Sequence, residues 1–233
     1  MKEFKAKYDV CIPNEMLRLL YDVNERITKA ECLILIDILQ RGGLNHETPV
    51  SRKQLAIDCK ISEASVKRAL QRLKESGIIS YERGTTPHAP SMLSLDFERV
   101  PFTQVPASAI NALLETPLSH TAIRLLLFVW RYTYGYKGGN GGCIKSCKMS
   151  DTFINEGTHI DEKNAQRAIR ELKSVEAIGA FIHNNSRFIY PCDIWAFFSH
   201  SAPVNLTPHP RKFDPSYTRK FDPPPRGVKF TPQ

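Results

Sequence analysis

The segment ISEASVKRALQRLKESGII, Ile61 to Ile79, recurs without a gap 99 residues later as IDEKNAQRAIRELKSVEAI, Ile160 to Ile178. A gapless repeat of this kind requires one helical unit to be built and packed twice. Ile61 and Ile160, Glu63 and Glu162, Arg68 and Arg167, Ala69 and Ala168, Leu73 and Leu172, and Lys74 and Lys173 are shared. In each copy a polar N-cap candidate, Ser62 or Asp161, opens the helix. Val66, Ala69, Leu70 and Leu73 fall on one face at 3.6-residue spacing, as do Ala165, Ala168, Ile169 and Leu172. Directly opposite lie Ala64, Arg68, Gln71 and Glu75 in the first copy, and Lys163, Arg167, Arg170 and Ser174 in the second. Lys67 and Gln166 flank them, with Ser65, Arg72 and Asn164 on the polar sides.

Arg, Lys and Gln projecting from a short helix can fork to base edges in a major groove that admits the helix. A solvated basic face is the commoner reading of either helix alone, and the flanking sequence shifts the balance toward the first. Upstream of the first copy, Ser51 and Gln54 have capping-box spacing in SRKQLAIDCK. Earlier still, Thr28 and Glu31 open a helix over ITKAECLILIDILQRGG that stops at a double glycine. Downstream, Ile78 to Tyr81 and Met92 to Phe97 alternate as strands around a Gly- and Pro-bearing tip, Arg83 to Ser91. Three helices followed by a hairpin predict a winged helix-turn-helix, with Arg83 on the wing.

The second half repeats the plan. Ser119 to Tyr134 reads as a long apolar helix, GYKGGNGG as a loop, Cys143 to Met149 as a short strand and Ser150 to Glu156 as the positioning helix. The hairpin over Ala180 to Tyr190 carries Asn184 and Asn185 where positive φ suits asparagine, and Arg187 beside them. The expected fold class is therefore mainly α with small β-hairpins (α+β): two tandem winged helices, residues 1–100 and 101–200, joined near Glu98 to Val105, then a disordered Pro-rich basic tail over 201–233.

The stretch RLLLFVWRYTYGYKGGNGG, with a strand and helix-turn-helix after it, resembles the N-terminal DNA-binding domain of phage lambda O-type replication proteins. There too a long helix ends in an aromatic element, here Thr133, Tyr134 and Gly135, before a polar loop; the likeness covers roughly 108–182. The tandem arrangement is similar to plasmid iteron-binding initiators, which place two winged helices in series. Both resemblances imply sequence-specific binding of a replication origin by a phage, plasmid or phage satellite protein.

The net charge of +8 and pI near 9.2 suit a polyanionic partner, double-stranded DNA, through phosphate contacts. No apolar run approaches the ~20 residues that span a bilayer, and MKEFKAKYDV lacks a signal-peptide core, so a cytoplasmic, nucleoid-associated protein is expected. The six cysteines show no zinc-finger spacing, and reduced structural thiols are the expectation. GGNGG lacks the Gly-Lys-Ser/Thr ending of a phosphate-binding loop. The histidines have no His-x-His pair for nicking, and the carboxylates no cluster for two-metal chemistry. Neither an enzyme nor a cofactor is expected.

The tail holds eight of the sixteen prolines and a recurring unit: VNLTP from Val204, RKFDP from Arg211, RKFDP from Arg219 and VKFTP from Val228. Three readings compete. It is a polycationic tether; or Phe213, Phe221 and Phe230 anchor repeated motifs for a partner such as a helicase or helicase loader, gaining by avidity; or it translates DNA repeats, since a seven-residue step spans about two turns of duplex at about 10.5 base pairs each. In lambda O-type genes the origin repeats are similarly internal. Two other functions compete with an initiator: a winged-helix transcriptional repressor, and a protein-interaction adaptor.

Overall fold

The computed structural model describes residues 8–44, 46–82, 90–95, 97, 101–135 and 146–192. Arg83 and most of the first wing tip, the loop after Gly135 with Cys143, and the tail with Phe213, Phe221 and Phe230 lie outside them.

The first module runs β1 (Val10–Pro13), α1 (Asn14–Tyr21), α2 (Lys29–Gln40), β2 (Thr48–Val50), α3 (Arg52–Asp58), α4 (Glu63–Glu75), β3 (Ile79–Glu82) and β4 (Ser91–Leu95). The second follows the same order: β5 (Phe102–Val105), α5 (Ala107–Glu115), α6 (His120–Thr133), β6 (Cys147–Lys148), α7 (Asp151–Thr158), α8 (Glu162–Ser174), β7 (Ile178–His183) and β8 (Ser186–Pro191). Each module ends in a three-stranded sheet of the same antiparallel order, β2-β4-β3 and β6-β8-β7. This is the α+β, winged-helix architecture expected from the repeat.

The helix starts follow the local chemistry. Thr28 and Glu31 close a reciprocal capping box on α2. Ser51, Ser62, Ser119, Ser150 and Asp161 each accept the backbone N–H three residues on, which satisfies one of the donors a helix start leaves unpaired. Asn184 and Asn185 sit at φ of 46° and 55°, closing the two-residue turn between β7 and β8.

The repeat extends further than the recognition helices. Both modules begin with a strand that leads into a helix through a proline N-cap, Pro13 (φ −55°, ψ 137°) and Pro106 (φ −56°, ψ 137°). The two strands then pair with each other, antiparallel, in the register Val10↔Val105, Cys11↔Gln104, Ile12↔Thr103, Pro13↔Phe102. If Pro13 and Pro106 are equivalent, so are Cys11 and Gln104, and these are partners. A residue pairs with its own equivalent only where a two-fold axis passes between them, so the modules are related by a pseudo-two-fold through β1 and β5.

The helices after those strands cross over. α1 packs on α6 and α5 on α2, so each module's first helix helps build the other's core. Tyr21 of α1 meets Phe128 of α6 edge-on at 5.2 Å, inside one continuous apolar cluster that includes both long helices and the apolar faces of α4 and α8. Cys32 and Cys59 are buried there as free thiols; burial pushes the Cys32 thiol up to about 12 and that of Cys59 well above its usual value.

Candidate nucleic-acid interface

The apolar face of α4 is Val66, Ala69, Leu70 and Leu73, and that of α8 is Ala165, Ala168, Ile169 and Leu172, all buried. The opposite faces are therefore turned outward by packing. On α8 the exposed side chains include Lys163, Asn164, Arg167 and Arg170, with Glu162 at the start and Lys173 and Ser174 at the end. Lys163 and Arg167 have no partner among the described residues, and Arg170 only folds its Nε over the Gln166 carbonyl at 3.4 Å. Asn164 is engaged in the cap. Its backbone and side-chain N–H groups both donate to Asp161, and these bonds hold the Asp161 carboxyl below its usual range.

α4 is less open. Lys67 is exposed and free among the described residues, and Arg68 reaches back to the Ala64 carbonyl at 3.4 Å. Gln71 donates to Glu75 at 2.8 Å, and Ser65 shares a hydrogen bond with the Ser62 hydroxyl. Arg72 lies 3.1 Å from the buried carboxylate of Glu31; that oxygen accepts no hydrogen bond, so the contact is an ion pair only. The second module solves the same junction with the charges rearranged. Glu171, the counterpart of Arg72, accepts from the backbone N–H and the hydroxyl of Ser119 at 2.5 and 2.6 Å, a carboxylate placed on the positive end of α6.

Two expected contact residues, Gln166 and Arg187, are half-buried and bonded within the protein. Asp151, at the start of α7, accepts from Gln166 of α8 at 2.8 Å and from Arg187 of β8 at 2.7 Å. Arg187 also donates to the Met149 carbonyl at 2.9 Å. One carboxylate thus fixes positioning helix, recognition helix and wing relative to one another. Arg187 sits near the base of this junction while Asn184 and Asn185 are exposed at the tip.

Basic side chains not singled out in the sequence also stand exposed on or beside the helix-turn-helix units: Arg52 and Lys53 on the first turn of α3, Lys60 in the turn after it, and Lys148 on β6. The Ser51 cap signal placed the first two at a helix start, but nothing local showed that this helix packs on the recognition helix. Among the described residues there is no cluster of His, Cys, Asp and Glu fit to hold a metal ion, and no helix is long and apolar enough to cross a membrane.

No protein-family model and no curated protein matches the chain. Among solved structures it is similar to that of a Pi initiator protein in complex with iteron DNA, with a TM-score of 0.50 at 13% identity over 82% of this chain and 99% of that one. At that identity the likeness is one of fold. It is to a winged-helix initiator, the second of the two resemblances drawn from the sequence, and not to a lambda O-type domain in particular.

Proposed function

We propose that this chain is a sequence-specific double-stranded DNA-binding protein that initiates replication of a phage, plasmid or phage satellite from repeated origin sites. The observation that carries the reading is the outward face of α8, where Lys163 and Arg167 are exposed with no partner among the described residues, and Arg170 is exposed beside them. A similar fold in a protein crystallised with iteron DNA supports it. α8 enters one major groove with Lys163, Arg167 and Arg170 at base edges, and α4 enters the next with Arg68 and Gln71. Because the modules are related by a pseudo-two-fold, each repeat would carry two inverted, non-identical half-sites about 10 base pairs apart. Lys67, Arg52, Lys53 and the tip residues Asn184 and Asn185 supply phosphate contacts, as does Arg83 of the first wing. The tail motifs around Phe213, Phe221 and Phe230 recruit a helicase or its loader.

The test is a footprint of the full chain on its own gene and flanking DNA. Protection of regularly spaced repeats supports an initiator, and protection of one promoter site supports a transcriptional regulator. Absence of protection at moderate salt would leave an adaptor, for which the Glu63, Glu75 and Glu31–Arg72 chemistry of α4 makes the first module the partner-binding one.

A further inference from the structure

The pseudo-two-fold makes a further pair of contacts equivalent. Lys60 and His159 occupy the same place in their modules, the turn residue two positions before the N-cap of the recognition helix. Both hold a positive φ, 52° and 56°. Asp22 and Glu115 are likewise matched at the C-terminal ends of α1 and α5, counted from Pro13 and Pro106. Lys60 Nζ donates to the Glu115 carbonyl at 3.3 Å. His159 Nδ1 lies 2.8 Å from Asp22 Oδ1. Each turn thus reaches into the opposite module and grips the end of the helix that has crossed over.

We infer that these two contacts are latches that fix the relative orientation of α4 and α8, so that Asp22 and His159 are positioning residues for the spacing of the two half-sites; the consequence for DNA rests on the function proposed above. Besides them the modules are joined by one two-stranded ribbon, the crossed helices and the Arg124–Ile27 hydrogen bond at 2.8 Å, none of which involves the turn before a recognition helix. A contact at the turn itself acts where it counts. The turn in the second module is stiff: Ile160 N–H donates to the Thr158 hydroxyl at 3.1 Å, that hydroxyl donates to the Ile154 carbonyl at 2.7 Å, and Asn155 donates to the Ile160 carbonyl at 3.0 Å. Moving His159 therefore moves the start of α8. The latches are unequal. Asp22 is 5% exposed and also caps the short turn after it through the Asn24 N–H at 2.9 Å, so its carboxylate is held ready for His159. The Lys60 contact is exposed and longer, and the second module is the more firmly gripped.

The experiment needs no DNA in its first arm. Spin labels are placed by Lys67→Cys and Lys163→Cys in a full chain carrying Cys11→Ser, Cys143→Ser and Cys192→Ser, and the interlabel distance distribution is measured with and without His159→Gly and Lys60→Gly. Glycine keeps the positive φ and removes only the side chain. The latched protein gives one narrow distribution and the double variant a broad one; an unchanged distribution in the double variant overturns the inference. In the second arm, unlabelled wild type and His159→Gly, which removes the imidazole and leaves the Asp22 cap intact, are titrated against the duplex that the wild type enriches from a random pool, and against each half of it. The variant should lose about tenfold on the intact duplex through lost effective concentration and nothing on the halves. Equal loss on halves and whole overturns it. If the wild type enriches no duplex, the proposed function fails while the distance measurement still decides the latch.

Discussion

Arg167 and Arg187 carry the same charge, and the fold uses them differently. Arg167 points away from the core with no partner among the described residues, so Arg167→Ala should leave folding untouched and cost about 1–3 kcal/mol of binding, with relaxed base preference at one position. Competition between the selected duplex and point variants of it reads this out, and a loss equal on all sequences would make Arg167 a phosphate contact. Arg187 is bonded to Asp151 and to the Met149 carbonyl. Its side chain is 18% exposed and that of Asp151 31%, so the pair is worth more than a surface ion pair but is still screened. Arg187→Ala should cost about 1 kcal/mol of stability, seen as a lower urea midpoint, with the effect on DNA following from a loosened wing.

His120 extends the residue-scale argument to pH. Arg124 Nε donates to His120 Nε2 at 3.2 Å, which requires that nitrogen to be unprotonated, while Arg124 Nη2 donates across the module boundary to the Ile27 carbonyl at 2.8 Å. Burial, then the charges of Arg124 and Lys29, lower His120 from its ordinary 6.5 to about 4. The folded pKa is below the unfolded one, so between these values the unfolded chain binds more protons and stability falls as pH drops from 6.5 toward 4. Melting temperature measured across that window should decline, and His120→Gln, a neutral acceptor, should flatten the decline. An identical slope in the variant would assign it to other groups.

At the scale of the elements, α4, α8 and their caps were legible because their information is local: a 3.6-residue stripe, a Ser or Asp at the N-cap, two asparagines at a turn. β1 and α1 were not. Val10–Pro13 is too short for a periodic signal, and its partner strand lies in the segment, near Glu98 to Val105, that read as a join. The candidate site divides in the same way. The outward direction of Lys163, Arg167 and Arg170 follows from the stripe, but the engagement of Arg72 by Glu31, and of Gln166 and Arg187 by Asp151, depends on residues from other elements. Gly157 in α7 gives an element-scale test. Alanine there gains up to about 1 kcal/mol of helix propensity, but its methyl group would overlap the Cε2–Cζ edge of the Phe128 ring. That ring is fully buried among Tyr21, Tyr132 and Phe153 and has nowhere to move, and such overpacking costs about 1–3 kcal/mol. The clash outweighs the propensity gain, so Gly157→Ala should lower the melting temperature; a rise would show that Phe128 can give way.

For the whole molecule, the crossing of α1 and α5 means that neither module keeps its full core without the other. Met16, Leu17, Leu20 and Tyr21 of α1 are all buried, on a helix that packs on α6. At about 1.5–3 kcal/mol for each such side chain, their burial is comparable to the ~5–15 kcal/mol that holds an ordinary domain folded. A fragment of residues 101–192 would expose the α6 surface that α1 covers and should show helical far-ultraviolet dichroism without a cooperative melt. The complementary fragment, residues 1–100, would leave α1 and the α5-facing side of α2 uncovered and behave likewise. Expressed together, the two should associate one to one through β1–β5 pairing and the crossed helices, and recover a cooperative transition. Cooperative melting of either fragment alone would show that the crossed helices are accessories to two self-sufficient modules, and association that Tyr21→Ala does not weaken would place the interface elsewhere.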